Sequence, residues 1–175
     1  MELGLKGDEI KLVSYTDEWK KEFCQVKNDI QASTNIEANR IEHIGSIAIE
    51  GMLAKPVIDV VVAVDDLSSV DKFIIEGLNT IGFLRLKVKR PDEIVFAKFT
   101  DSSFQKLAHY VHLVEYEKEL WSNLIFFRDY MNSNEEAKVE YVNLKLNYIK
   151  KCSTGIKEYI DHKESFVRSV FKKGK

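Results

Sequence analysis

The sequence predicts an α+β fold, a mixed β-sheet flanked by helices, on three observations. The run Val57-Ile-Asp-Val-Val-Val-Ala-Val64 is apolar on both faces, which marks a central strand covered by other layers. Helical stripes with steps of three and four occupy a segment near the start and most of the chain beyond residue 120. The elements then run helix, strand, strand, helix, three strands, three helices. That order lacks the regular alternation of a doubly wound sheet.

Each element has a local reason. Ile10-Lys-Leu-Val13 reads as a short strand, after which Thr16 or Asp17 caps a helix carrying Trp19, Phe23, Val26 and Ile30. Residues 36–44 read as extended and run into a Gly45-Ser46 turn. A loop or short helix over 47–53 follows, and Pro56 holds the chain extended on its way into the strand 57–64. Ser68 with Asp71 forms a capping box for a helix bearing Val70, Ile74, Leu78 and Ile81, which Gly82 ends. Residues 83–88 and 94–99 read as strands around a turn containing Arg90-Pro91-Asp92, and 107–114 as a third. Leu120, Leu124, Phe127 and Met131 make one helical stripe. Ala137, Tyr141, Leu144 and Tyr148 make another, opened by Ser133 with Glu136. Ile156, Ile160, Lys163, Val167 and Val170 make the last, after a Ser153 to Gly155 break.

Composition narrows the setting. The 175 residues, 45% of them apolar, suffice for one well-buried core, and no repeat or linker divides them, so a single domain over 1–175 is expected. Charge is balanced, with 26 basic and 28 acidic residues well mixed, which argues against a duplex nucleic-acid binder. Lys87, Lys89 and Arg90, and Lys172, Lys173 and Lys175, form local basic clusters that read as solvated surface. Cys24 and Cys152 are far apart and outside any zinc-ligand spacing. With no membrane-length apolar segment and no secretory h-region, a soluble cytoplasmic protein without membrane partners is expected.

Asp59 is the residue that points to chemistry. A carboxylate amid β-branched residues of a sheet interior must be neutralised, paired or bound to a cation. Upstream, Gly45 lets backbone approach a phosphate, the Ser46 hydroxyl can donate to it, and Lys55 can neutralise it. Asp59 is then the candidate ligand of a divalent metal. The competing account makes Lys55 and Asp59 a satisfied ion pair. His109 and His112, three apart on a strand, point to opposite faces and cannot share a metal. His112 is the better candidate for a site on the sheet, to orient a phosphate or to serve as a base near neutral pH. His43 precedes the Gly-Ser turn as a supporting partner, with Glu42 its ion-pair neighbour. Arg128 and Lys145 border the inward faces of their helices as further phosphate-binding cations, with Lys98 a weaker one.

These residues together resemble the GrpB family of small bacterial proteins related to the nucleotidyltransferase fold. The resemblance covers most of the chain and rests on Glu42-His-Ile-Gly-Ser46, Gly51 with Ala54-Lys-Pro-Val-Ile-Asp59, His109-Tyr-Val-His-Leu-Val114, Phe127-Arg-Asp-Tyr130, Tyr141 with Lys145, and Tyr159 with Lys163. It implies a nucleotidyltransferase-like domain with Asp59 and His112 in catalytic positions, Asp59 on magnesium, and Gly45, Ser46, Lys55, Arg128 and Lys145 on the substrate. One departure stands out. The wider superfamily places a second acid two residues after the first, on the same face of the strand, where this chain has Val61. Tyr110 likewise stands where other members tend to carry a histidine.

Three functions remain open on this reading. One is magnesium-dependent nucleotidyl transfer to a small molecule or an RNA end. The second is a catalytically reduced module that binds a nucleotide or other phosphate-bearing molecule. The third is an interaction protein in which Lys55 and Arg128 merely satisfy Asp59.

Overall fold

The computed structural model describes residues 1–7, 9–151 and 156–175, the side chains of 151, 156 and 157 excepted. The elements are β1 (Leu5–Lys6), α1 (Glu18–Thr34), β2 (Ile41–Ile44), β3 (Ile58–Val64), α2 (Lys72–Thr80), β4 (Leu84–Arg85), β5 (Ile94–Phe99), β6 (Lys106–Glu115), α3 (Glu119–Ser133), α4 (Glu135–Lys151) and α5 (Ile156–Lys173). Six strands form one sheet in the order β2-β3-β6-β5-β4, and β1 also pairs with β6. Among the described residues, only β3 and β6 run parallel and the other pairs are antiparallel. The sheet is therefore mixed, and β3 and β6 at its centre are its longest strands.

Alternation along the strands divides the residues between two faces. Ile41, Ile58, Val60, Val62, Phe96, Val111 and Leu113 pack with Trp19, Val26 and Ile30 of α1 and Leu78 of α2. The opposite face sends Ile44, Val61, Ala63 and Val114 against Trp121 of α3. A further core of Phe127, Met131, Ala137, Tyr141, Phe166 and Val170 joins α3, α4 and α5 over Ile49 and Met52, in the connection between β2 and β3. The three C-terminal helices thus cover the second sheet face and the loop that leads into β3. No helix among the described residues is long and apolar enough to cross a membrane.

Several elements differ from the sequence expectation. Residues 10–13 contribute a single bridge, Val13 to Ala54, while the edge pairing falls to Leu5–Lys6. The extended segment before Gly45 begins with a short 3-10 turn, Ala38–Arg40, so only Ile41–Ile44 pairs. The expected strand over 83–88 pairs only at Leu84–Arg85. Asp71, whose carboxylate accepts from the Phe73 N–H, caps α2 alone; Ser68 is instead bonded to Asp66 in a separate 3-10 turn. Asn134, not Ser133, opens α4 by accepting from the Ala137 N–H. The Ser153 to Gly155 break lies outside the described residues.

Candidate functional site

Antiparallel pairing of β2 with β3 sets Ile44 opposite Asp59, so the chain leaving β2 turns directly over the acid. Gly45 makes that turn at φ +74°. A Cβ there would lie 2.5 Å from the Asp59 Oδ2. No side chain fits at that distance, so glycine is required both by the backbone angle and by the carboxylate. Ser46 follows at the start of a 3-10 turn, Ser46–Ala48.

A cavity of about 420 Å³ opens beyond this turn. The sheet contributes Asp59, Val95, Tyr110 and His112, the turn contributes Gly45 and Ser46, and Lys55 enters from the approach to β3. Its opposite wall is α5, where Tyr159, Lys163, Val167 and Phe171 recur every four residues along one face. Five of the residues singled out in the sequence, Gly45, Ser46, Lys55, Asp59 and His112, therefore share one concave surface.

Arg128 and Lys145 do not. Arg128 Nη1 donates to Glu42 Oε2 at 2.6 Å and to the His43 carbonyl at 3.1 Å, while its Nε reaches Asp129 Oδ1 at 2.8 Å. It ties α3 to β2. Lys145 is fully buried, and its Nζ donates to the Leu53 carbonyl while lying 4.7 Å from the centre of the Tyr141 ring. Burial pushes its ammonium down to about 7. Lys98 and His109 face the other side of the sheet, Lys98 over Phe83 and His109 bonded to Glu22 at 2.9 Å. His43 stacks on Phe23 at 4.7 Å, and burial lowers it to about 4, so it stays neutral. Glu42 is bonded to Arg128 and not to His43.

Asp59 is not enclosed in apolar residues as its sequence context suggests. Its side chain is 29% exposed and looks into the cavity, and its ion partner among the described residues is His112, whose Nε2 lies 3.5 Å from Oδ1. Neither Lys55 nor Arg128 pairs with it. The other ring nitrogen of His112 sits 2.6 Å from Glu93 Oε2, and the second Glu93 oxygen pairs with Arg90. Burial alone would lower the His112 imidazole, but the two carboxylates outweigh it and raise it to about 9. Burial would raise Glu93, yet His112 and Arg90 hold it down at about 2. His112 is thus an imidazolium at neutral pH.

Two lysines complete the charge pattern. Lys55 Nζ lies 5.6 Å and Lys163 Nζ 4.5 Å from the centre of the Tyr159 ring. Burial lowers each to about 8; Lys163 depresses Lys55 further, while Asp59 raises both. Burial drives the Tyr159 phenol strongly upward and raises Tyr141 to about 12, with Ser46 opposing through a hydrogen bond to Tyr141.

This donor set does not fit a divalent metal. One carboxylate faces an imidazolium and two lysines, Glu93 is fully engaged, and fully buried Val61 occupies the place of a second acid. No group of three metal-ligating side chains occurs among the described residues. What the arrangement can do is surround an anion with cations.

Tyr159 and Lys163, which the sequence reading cited only for the family resemblance, complete the cavity, and Glu93 supports it from behind His112. Glu93 carries no sequence signal beyond standing next to a strand, in what reads as a loop. Tyr159 and Lys163, four apart, share a helix face, and that spacing was the available signal. Arg90, read as solvated surface, lines the cavity and holds Glu93.

Comparison with known proteins agrees with this architecture. Residues 9–173 match the family model described as GrpB protein. The Glutamate-rich protein GrpB of Alkalihalophilus pseudofirmus is 36% identical over 169 residues, covering 96% of this chain and 97% of that one. The crystal structure of conserved protein GrpB from Enterococcus faecalis superposes with a TM-score of 0.80 at 22% identity, over 94% of this chain and 96% of that one. The Cid1 poly(U) polymerase, in its MgGTP-bound crystal structure, shares the fold at a TM-score of 0.51 and 14% identity, over 75% of this chain and 43% of its own. With a nucleotidyltransferase-like fold and a family match along nearly its whole length, the chain belongs to the GrpB family.

Proposed function

We propose that the cavity binds a phosphate-bearing small molecule, with a nucleotide the favoured class, and that the chain is a catalytically reduced relative of the nucleotidyltransferases. The carrying observation is the pair of lysines flanking Tyr159 beside the Gly45-Ser46 turn. Both ammonium groups are disfavoured by burial, so a phosphate that neutralises them recovers a cost already built into the free protein. Leu86, Val88, Ile160 and Phe171 supply apolar walls suited to a base or a comparable planar group. Fully buried Val61, in place of a second acid, argues against transfer.

Titration calorimetry with pyrophosphate and with ATP, each in EDTA and in magnesium, tests the reading. Lys163→Met and Lys55→Met should each weaken binding by about 1.5–3 kcal/mol, the size of a lost hydrogen bond to a charged group. No binding by the wild type, or unchanged affinity in both variants, removes the proposal. Asp59→Asn separates the roles of the acid. If lysines alone neutralise the phosphate, this variant binds as tightly or more tightly, because a repelling carboxylate is gone. If the acid holds magnesium, the variant loses the magnesium-dependent part of the affinity.

A further inference from the structure

Glu93 lies outside the set of residues that the cavity's phosphate chemistry calls on directly, yet each of its oxygens meets a cation. It is 8% exposed, and both of its oxygens are spent, Oε2 on His112 Nδ1 at 2.6 Å and Oε1 on Arg90. A carboxylate is costly to bury, and one whose two oxygens each meet a cation is fixed in place. The consequence falls on the imidazole. With Nδ1 anchored behind, the ring has one orientation, and its Nε2 is directed toward Asp59 and the cavity.

Among the described residues, the ring's remaining neighbours give it no other hold apart from Asp59. Tyr110, two residues earlier on the same face of β6, has its ring centre 6.0 Å away in a tilted arrangement, and Val95 pairs with His112 across the ladder. Neither supplies a hydrogen bond to the imidazole. Without Glu93, rotation of the ring would be checked only by the 3.5 Å contact with Asp59.

We propose that Glu93 is a positioning residue: it anchors His112 through Nδ1 so that the Nε2–H is aimed at a phosphate oxygen of the molecule bound between Lys55, Lys163 and Ser46. This inference rests on the phosphate reading of the cavity and adds a specific donor and the residue that orients it. Lys55 and Lys163 act as adjustable point charges on flexible stems, whereas the anchored imidazole is a directional donor on a rigid strand. Placement along a strand of the central sheet gives it the fixed geometry that a loop residue would lack. Arg90 extends the chain of contacts by holding the far oxygen of Glu93 at the rim of the same cavity.

The test is a double-mutant cycle read by pyrophosphate affinity. Glu93→Ala should weaken binding about tenfold or more, and His112→Gln by a similar factor, since each removes the same charge-assisted donor. The combined variant should bind no worse than His112→Gln alone, because Glu93 acts only through the ring. Additive losses, or an unchanged affinity in Glu93→Ala, would overturn the assignment. A proton NMR spectrum gives a second reading without any ligand. A proton held in a short imidazole–carboxylate bond resonates far downfield, and that signal should be present in the wild type and missing from both single variants. Its absence from the wild type overturns the proposal whatever the affinities are. If Glu93→Ala does not fold, Glu93→Leu carries the same cycle, since it keeps the bulk but offers no acceptor to the ring. Wild-type protein that binds pyrophosphate and ATP under no condition overturns the phosphate reading and this inference with it. Binding that survives intact in His112→Gln overturns this inference alone.

Discussion

At the scale of single residues, the site is set by what each side chain excludes as much as by what it binds. Gly45 shows this most directly. The backbone at φ +74° is disfavoured for any residue with a Cβ, and the added carbon would stand 2.5 Å from an Asp59 oxygen. Gly45→Ala should therefore destabilise the protein by about 1–3 kcal/mol, from the left-handed backbone together with displacement of the carboxylate. It should also weaken ligand binding, since the acid cannot move without disturbing His112. Urea unfolding and a pyrophosphate titration check both halves; an alanine variant as stable as the wild type would mean that the turn relaxes freely. Ser46→Ala is the contrasting case, a small change that removes one donor and leaves the turn intact.

At the scale of elements, the sheet was largely legible because β3 is apolar apart from Asp59, β5 and β6 carry β-branched and aromatic residues, and the helices carry long stripes. β1 was not, and the strand expected over 83–88 is too long for β4, since strands of two residues hold too few positions to show any period. The same contrast runs through the site. Gly45, Ser46, Lys55 and Asp59 come together because one turn and one strand join them, so local sequence suffices. Arg128, Lys145 and Lys163 look alike in sequence, each a cation on a helix face, and only packing of α3, α4 and α5 decides that Lys163 meets the cavity. Arg128 meets Glu42 and Lys145 meets the Leu53 carbonyl instead. Helix packing also accounts for Gly77 in α2. A Cβ there would sit 2.2 Å from the Ser33 carbonyl oxygen at the end of α1. Alanine is the better helix former by up to about 1 kcal/mol, so propensity alone predicts that Gly77→Ala stabilises. The contact predicts the reverse, a net loss of about 1–3 kcal/mol as α2 is forced away from α1. Thermal or urea unfolding of the variant decides between them, and a gain in stability would show that the two helices slide apart without cost.

At the scale of the whole molecule, buried lysines give the fold an unusual dependence on pH. Lys55 and Lys163 are lowered to about 8 and Lys145 to about 7, from an ordinary value near 10.5. Between those values the unfolded chain holds more protons than the native one, so these groups make stability rise with pH, from about 7 toward 10.5. His112 works in the opposite sense. Raised from 6.5 to about 9, it contributes stability that is full below 6.5 and lost by about 9. With three lysines against one histidine, net stability should climb between about pH 8 and 10. Replacing Lys145 with Met, which leaves the cavity lining untouched, should flatten part of that climb. A bound phosphate reverses the preference of the two cavity lysines, because it favours their charged forms. Binding at pH 8.5 must then draw protons from solution, and affinity must weaken as pH rises from 7.5 to 9.5. Calorimetry of pyrophosphate binding in two buffers of different ionisation heat measures that uptake directly. Net uptake, reduced in Lys163→Met, is the expected outcome; proton release or a pH-independent affinity would mean that Lys55 and Lys163 do not meet the phosphate.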